Sequence, residues 1–582
     1  MRKGGVAVRE TTTRTASPTE QQSPRRGGTL TMVGAGDVDY LDPALAYHTA
    51  TRGIVRGYTR QLVGYVASRD RAEAGRIVAD LATEVPTVAN GRISADGTRY
   101  RFTLAENLRW STPWGIRPLV AGDVVRGIKR LAHPLASSPG LAYYLSTIDG
   151  MTEFRDAMAA APRDALAETM EHTEIRGVRA EGDREIRFTT RYPTSDFLNM
   201  LAVPFATPAP VEYLDFVPGS REFNRVLASN GPYRVANYVP GERIVLERNP
   251  AWDPNSDRLR AAYVDSIVVR EGMSERAAHE LVASGTAEML WDIQPLTEEL
   301  PPLLRNHDPR LEVYPAGLFS PYLVINFDRP VMARRKVRVA LQYAVDKAEV
   351  SRVWGGPRLN DIADQILPPL CTAHREFRPY ATEGGRGDPE LAAKLLAEAG
   401  YPDGLALRLV YRDRDIHPET AEVVKAAMAR AGIRVELVGV SINELFADYF
   451  CASGTPRSWD IALTGWEPDW YGNNARTYLQ PLFDSRGVVD SRGVVEHGDW
   501  GSNFGRYRSA KVNELLGAAL TSADEARSGE LFRRMEAEVL HDAAVVPILF
   551  AHQYWFHATT VRNWLPYPVL NGDLTNLWLD GK

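Results

Sequence analysis

The chain has 582 residues, 44% of them hydrophobic and 24% charged, with 68 basic against 74 acidic side chains and a formal net charge of -6. This is the balance of a globular protein long enough for about three to five compact units, so whole-chain disorder is excluded. A near-neutral, slightly acidic chain does not coat nucleic acid, no apolar run reaches the ~18–20 residues of a bilayer span, and two cysteines exclude a disulfide-rich scaffold or a multi-thiolate zinc site.

Met1 to Arg26 is rich in Thr, Ser, Pro, Gln and Arg and is expected to be disordered. Its only apolar patch, Val6-Ala7-Val8, falls short of a signal core of roughly 7–15 residues. Arg25-Arg26 has no apolar stretch after it, and no cysteine near the start could accept a lipid. Taken literally, this start is cytoplasmic; a Ser/Thr/Pro-rich stretch before a globular body also reads as a tether.

Beyond it, Gly27 to Met32 opens the ordered part as a short strand, followed by the turn signal Tyr40-Leu41-Asp42-Pro43. Arg99 to Leu104 and Arg184 to Phe188 alternate in strand fashion after turn-like Asp-Gly and Gly-Asp pairs. Helices are expected over Asp123 to Leu131, Glu275 to Ser284, Lys336 to Val353 and Pro389 to Ala399, the last ending at Gly400. Interleaved strands and helices indicate an α/β protein. The tandem hexapeptide DSRGVV over 484–489 and 490–495 is too short for a solenoid and reads as a duplicated surface loop.

Catalytic punctuation is missing. There is no GxxxxGK[ST], HExxH or GxSxG, and Gly34-Ala35-Gly36 lacks the third glycine of a dinucleotide fingerprint and runs into Asp37 and Asp39. The histidines are scattered, so no metal, no cofactor and no enzymatic activity is expected. One stretch does carry chemistry: Trp459 to Tyr471, a strand (Ile461, Leu463) that breaks at Gly465 and sets Trp466, Trp470 and Tyr471 around Asp469. A carboxylate among aromatic rings suits an ammonium, which the charge pairs and the rings shield from water. A peptide's terminal amine is a natural target.

Several blocks in order resemble the large solute-binding proteins of ABC importers, family 5, the oligopeptide, dipeptide and nickel-binding group. They are the LDP segment at Leu41, Tyr100 to Leu104 through Asn107-Leu108-Arg109-Trp110-Ser111 to Ala121-Gly122-Asp123-Val124, Asn230-Gly231-Pro232-Tyr233, Arg248-Asn249-Pro250, Val337 to Asp346, and Ala393 to Gly404. Thr112-Pro113-Trp114-Gly115 departs from the family's turn. The resemblance implies a two-lobed periplasmic-binding-protein-like α/β fold of type II, closing about a hinge, with an extra domain inserted on lobe I. The implied boundaries are a disordered segment 1–26, lobe I over 27–65, 190–316 and 553–582, an inserted domain 66–189, and lobe II 317–552. Hinge strands would lie near Tyr314 to Tyr322 and Val546 to Phe550.

In that frame Asp469, with Gly465 and Trp466 of the same motif, would meet a ligand's amino terminus, joined by Trp470 and Tyr471. Tyr47 and His48 would reach the cleft from the first lobe, and Asn326 would offer a hydrogen bond to ligand backbone. Arg338, Trp110 and Trp252 read as structural, Arg338 through a nearby carboxylate. Cys371 and Cys451 fall in the second lobe; a disulfide is expected, closing a loop of roughly 80 residues that the chain-entropy model values at roughly 4 kcal/mol. The implied function is a monomeric, extracytoplasmic receptor that captures an oligopeptide-like ligand and hands it to an ABC permease and its ATPase. The same scaffold could hold an oligosaccharide, a metal chelate or a secondary metabolite, or serve as a cytoplasmic enzyme or carrier, because fold does not fix function.

Overall fold

Strand-forming runs of alternating side chains assemble into two principal sheets in the computed structural model, which describes residues 23–136, 138–296, 298–450, 458–487, 502–567 and 572–581. The first sheet is five-stranded, in the order Met289–Trp291, Thr29–Gly34, Ser266–Arg270, Arg243–Arg248, Tyr233–Val239. Thr29–Gly34 runs parallel to both its neighbours, and the last two pairings are antiparallel. Helix Thr49–Tyr58 packs on this sheet, with Ile54, Val55 and Tyr58 in one core with Leu30, Leu246 and Ile267.

The second sheet is seven-stranded: Asn360–Ile362, Leu549–Phe556, Leu311–Ile325, Ile461–Trp466, Leu405–Arg412 and Ile433–Val440 in order, with Val545–Pro547 also paired to Leu311–Ile325. The two strands that join the sheets are Leu311–Ile325 and Leu549–Phe556. They pair antiparallel from Leu311↔Phe556 to Phe319↔Phe550, with a register shift between Tyr314 and Leu318. At one end Leu311 and Phe556 pack with Val33 and Ala278 of the first lobe; at the other Leu323 and Ile325 are buried in the second. Of the expected hinge segments, Tyr314 to Tyr322 falls in Leu311–Ile325, whereas Val546 to Phe550 starts in the short strand Val545–Pro547 and enters Leu549–Phe556 only at Leu549 and Phe550; the fold is the two-lobed binding-protein type.

A third layer stands on the first lobe, a three-stranded sheet of Arg99–Thr103, Glu185–Thr189 and Val178–Glu181. Its core includes Phe102, Trp110 and Phe188 but runs on to Phe223 and Ala228, and it takes in Trp470 from the second lobe. The insertion thus shares one core with the segment that follows residue 189.

Local structure follows the expected signals with instructive exceptions. The run Lys336 to Val353 forms two helices, Arg335–Ala344 and Lys347–Val353, because Asp346 caps the second by accepting the Glu349 N–H at 3.0 Å. Asp388 caps Pro389–Glu398 in the same way, and Gly400 beyond it takes a φ of +92°. Arg338 is structural, but its partners are the backbone carbonyls of Met332 and Asp542, at 2.6 and 2.9 Å, where a carboxylate was expected. Within the segment expected to be disordered, residues 1–22 lie outside the described residues, whereas Arg25 pairs with Asp580 at 3.1 Å and Arg26 donates to the Ala261 carbonyl at 3.3 Å. Of the expected disulfide pair, Cys371 is a buried free thiol, and Cys451 lies outside the described residues. Most of the DSRGVV repeat lies outside them too. Among the described residues no helix is long and apolar enough to cross a membrane.

Candidate functional site

Strand Ile461–Trp466 sits centrally in the second sheet, antiparallel to the crossing strand and parallel to Leu405–Arg412. Its inner residues are buried, as its unbroken apolar run requires. Gly465 is obligatory there, since a Cβ would stand 2.3 Å from Ser320 Oγ and 2.8 Å from Ser320 Cβ. At the strand's end the Trp466 indole N–H donates to the Thr477 carbonyl at 2.7 Å. The chain then leaves the sheet toward the first lobe.

There the loop docks. Asp469 is 3% exposed, and its carboxylate is fully engaged across the lobes: Oδ1 accepts from Arg52 Nη2 at 2.7 Å and Oδ2 from the Tyr143 hydroxyl at 2.7 Å. Arg52 comes from helix Thr49–Tyr58, and Tyr143 from helix Leu141–Thr147 on the inserted layer. Burial opposes the charge on Arg52, yet Asp469 outweighs it and holds the guanidinium above its ordinary pKa. Burial, and then Asp469, push the Tyr143 hydroxyl far above its ordinary range, so it stays a donor. Glu467 accepts a hydrogen bond from the Thr49 hydroxyl, and burial raises its carboxyl, opposed by Thr49 and Arg52.

Trp470, fully buried, packs edge-on to Tyr143 with ring centroids 4.9 Å apart, which seats the loop in the first lobe's core. The Tyr471 carbonyl accepts from Asn199 Nδ2 at 3.1 Å. One helix further, Arg476 crosses to Asp196 at 3.1 Å and to the Ser146 and Thr147 hydroxyls at 2.9 and 3.1 Å. At another point of the interface Arg414 approaches Glu275 and Asp292 at 3.6 and 3.9 Å. The lobes are therefore closed on one another. Beside helix Thr49–Tyr58 a cavity of about 70 Å³ lies among Met32, Gly53, Trp291, Gln294, Trp555 and Leu574. The Trp291 indole N–H is buried without an acceptor among the described residues.

The residues expected at the site divide accordingly. Asp469, Trp466, Trp470 and Tyr471 meet the first lobe or line the loop that does. Tyr47 joins them, its ring 4.9 Å from the Arg52 guanidinium and stacked on Phe205 at 6.2 Å. His48 is exposed and leads into the helix, where the Tyr47 and His48 N–H groups both donate to Asp39 at 2.7 and 2.9 Å. Asn326 is placed elsewhere. It follows the last residue of the crossing strand, whose mid-strand Phe319 pairs with Trp466, so roughly 20 Å of strand separates it from the loop. It is fully buried, donating to the Trp459 carbonyl at 2.7 Å and accepting from Asp328 N–H at 3.1 Å, so the structure does not bring it together with the other expected site residues.

Sequence reasoning missed Arg52, Tyr143, Asn199 and Arg476. A trace of the first was available: Arg52, Arg56 and Arg60 recur every four residues across a largely apolar helix and its exit. Each turns out to be buried against an aspartate, Asp469, Asp573 and Asp80 respectively.

Two lobes on crossing strands, closed through an aromatic and acidic loop, define a hinge-closing solute-binding protein. The model of the bacterial extracellular solute-binding proteins, family 5, matches residues 76–489, and the chain belongs to that family. It is 27% identical over 515 residues to the periplasmic oligopeptide-binding protein OppA of Salmonella typhimurium, covering 86% of this chain and 84% of the relative. It is 25% identical over 513 residues to heme-binding protein A of Haemophilus influenzae, covering 84% and 83%. Among solved structures, clavulanic acid biosynthesis oligopeptide binding protein 2 superposes with a TM-score of 0.79 at 25% identity, covering 96% of each chain. The Helicobacter pylori binding protein DppA in complex with the peptide STSA shares the fold, with a TM-score of 0.73 at 20% identity over 95% of this chain and 98% of that one.

Proposed function

We propose that this protein is the capture subunit of an ABC import system, enclosing an oligopeptide-like ligand between its lobes and delivering it, as a monomer outside the cytoplasm, to a membrane permease driven by an ATPase. The observation that carries the reading is the meeting of the Gly465–Tyr471 loop with Arg52, Tyr143 and Asn199 of the opposite lobe. Such contacts exist only when the lobes close, so a ligand that bridges the same gap is favoured in the closed state by its differential contacts. The peptide class is supported by relatives named for oligopeptides over nearly their whole length. Trp466, Tyr471 and Tyr47 would supply apolar walls, and the free indole N–H of Trp291 a donor for ligand carbonyls.

A thermal-shift screen with peptide, oligosaccharide and metal-chelate pools tests the assignment. A ligand at about 100 times its dissociation constant adds about 2.7 kcal/mol, so peptide pools should raise the melting temperature. A rise with sugars or chelates alone would transfer the fold to another ligand class.

A further inference from the structure

We propose that Arg52 sets the ligand specificity of this cleft, occupying with its guanidinium the place at Asp469 where a ligand's ammonium would pair, so that the protein selects peptides whose leading end has no free amine and presents an oxygen acceptor instead. The proposal rests on the peptide reading given above and narrows it.

Three observations carry it. First, Asp469 has no unmet demand for a cation: Arg52 serves one oxygen and the Tyr143 hydroxyl the other, each at 2.7 Å. Second, Arg52 is fixed in place. Its side chain is 5% exposed, and its guanidinium lies 4.9 Å from the Tyr47 ring centroid and 5.5 Å from that of Phe205. Removing it would strand a buried carboxylate, and adding an ammonium beside it would set two cations against one anion in a site with little water to screen them. Glu467 is engaged elsewhere, its carboxyl taking the Thr49 hydroxyl. Third, Arg52 Nε is buried with no acceptor among the described residues. An unfilled donor in a dry site calls for an oxygen, such as an N-acyl carbonyl or a carboxylate, and an ammonium cannot fill it.

The experiment compares one synthetic pentapeptide pool in two forms, amino-free and N-acetylated, by calorimetric titration of the full chain. The wild type is expected to bind the acetylated pool at least tenfold tighter. Arg52→Gln releases Asp469 and should reverse the order, Arg52→Lys should keep the acetylated preference, and Asp469→Asn should weaken both pools by a similar factor. A wild type that prefers the free-amine pool overturns the proposal without any variant. So does an unchanged preference in Arg52→Gln that folds, as judged by circular dichroism. If neither pool binds the wild type or Arg52→Gln, the peptide reading fails, and this inference falls with it.

Discussion

Arg476→Met offers a direct probe of lobe closure. The Arg476 side chain is 1% exposed and reaches from the second lobe to Asp196, Ser146, Thr147 and the Tyr143 carbonyl of the first. Methionine keeps much of the stem and removes every donor. Breaking a buried ion pair by deleting one partner typically costs about 3–5 kcal/mol. Here the open form can return Asp196 to water, so the loss falls on the closed state, and the lower figure, about 3 kcal/mol, applies. At about 1.4 kcal/mol per decade, that weakens binding of any ligand that requires closure by about a hundredfold. Calorimetry reads the dissociation constant, and small-angle scattering of the ligand-free protein should show a larger radius of gyration. Adding Asp196→Asn should cost far less than the sum of the single changes, because both act on one interaction. A folded variant with unchanged affinity and unchanged radius would refute the closure argument.

Other consequences concern stability and reactivity. Burial, then Asp37, raises Glu271 to about 8, and burial raises Glu536 to about 7, both from an ordinary 4.5. The folded state holds these protons where the unfolded chain has released them, so their contribution is complete below pH 4.5 and is lost as pH rises toward 8. The decline in melting temperature between about pH 5 and pH 8 should flatten in Glu271→Gln/Glu536→Gln, and an unaltered slope would show both groups ionised. Asp80→Ala leaves Arg60 and Arg260, each 2.8 Å from its carboxylate and almost wholly buried, two cations sharing the one carboxylate of Asp257 at 3.5 and 3.3 Å, and should cost about 3 kcal/mol in denaturant melts. Burial pushes the Cys371 thiol up to about 12, so iodoacetamide should label it only after unfolding; labelling of the native protein at Cys371 would contradict its burial.

The fold was legible because its evidence is local and repeated. Asp388 with Gly400 marks both ends of a helix, and the unbroken apolar run at Ile461 to Leu463 marks a strand buried on both faces. What the sequence hid is what the chain brings together over long distances. Asp469 stands out among its aromatic neighbours, but nothing near it signals Arg52, 417 positions away, or Tyr143, 326 away. A carboxylate suited to an ammonium is equally suited to a guanidinium, so residue chemistry alone could not say which cation arrives. The placing of Asn326 was hidden for the opposite reason: its position at a strand's end was evident, but which end lies by the loop depends on pairing with Ile461–Trp466. The break at Val345 went unseen because apolar periodicity continues across it, and only the capping geometry of Asp346 ends the first helix.

The central claim is that ligand lies between the lobes, against the loop that closes them. A pentapeptide pool carrying a photoreactive side chain, crosslinked to the protein and mapped by mass spectrometry, tests it most directly. The account predicts saturable crosslinks on both sides of the cleft, within residues 44–53 and 465–474. Crosslinks confined to one lobe, or lying away from both segments, would contradict it.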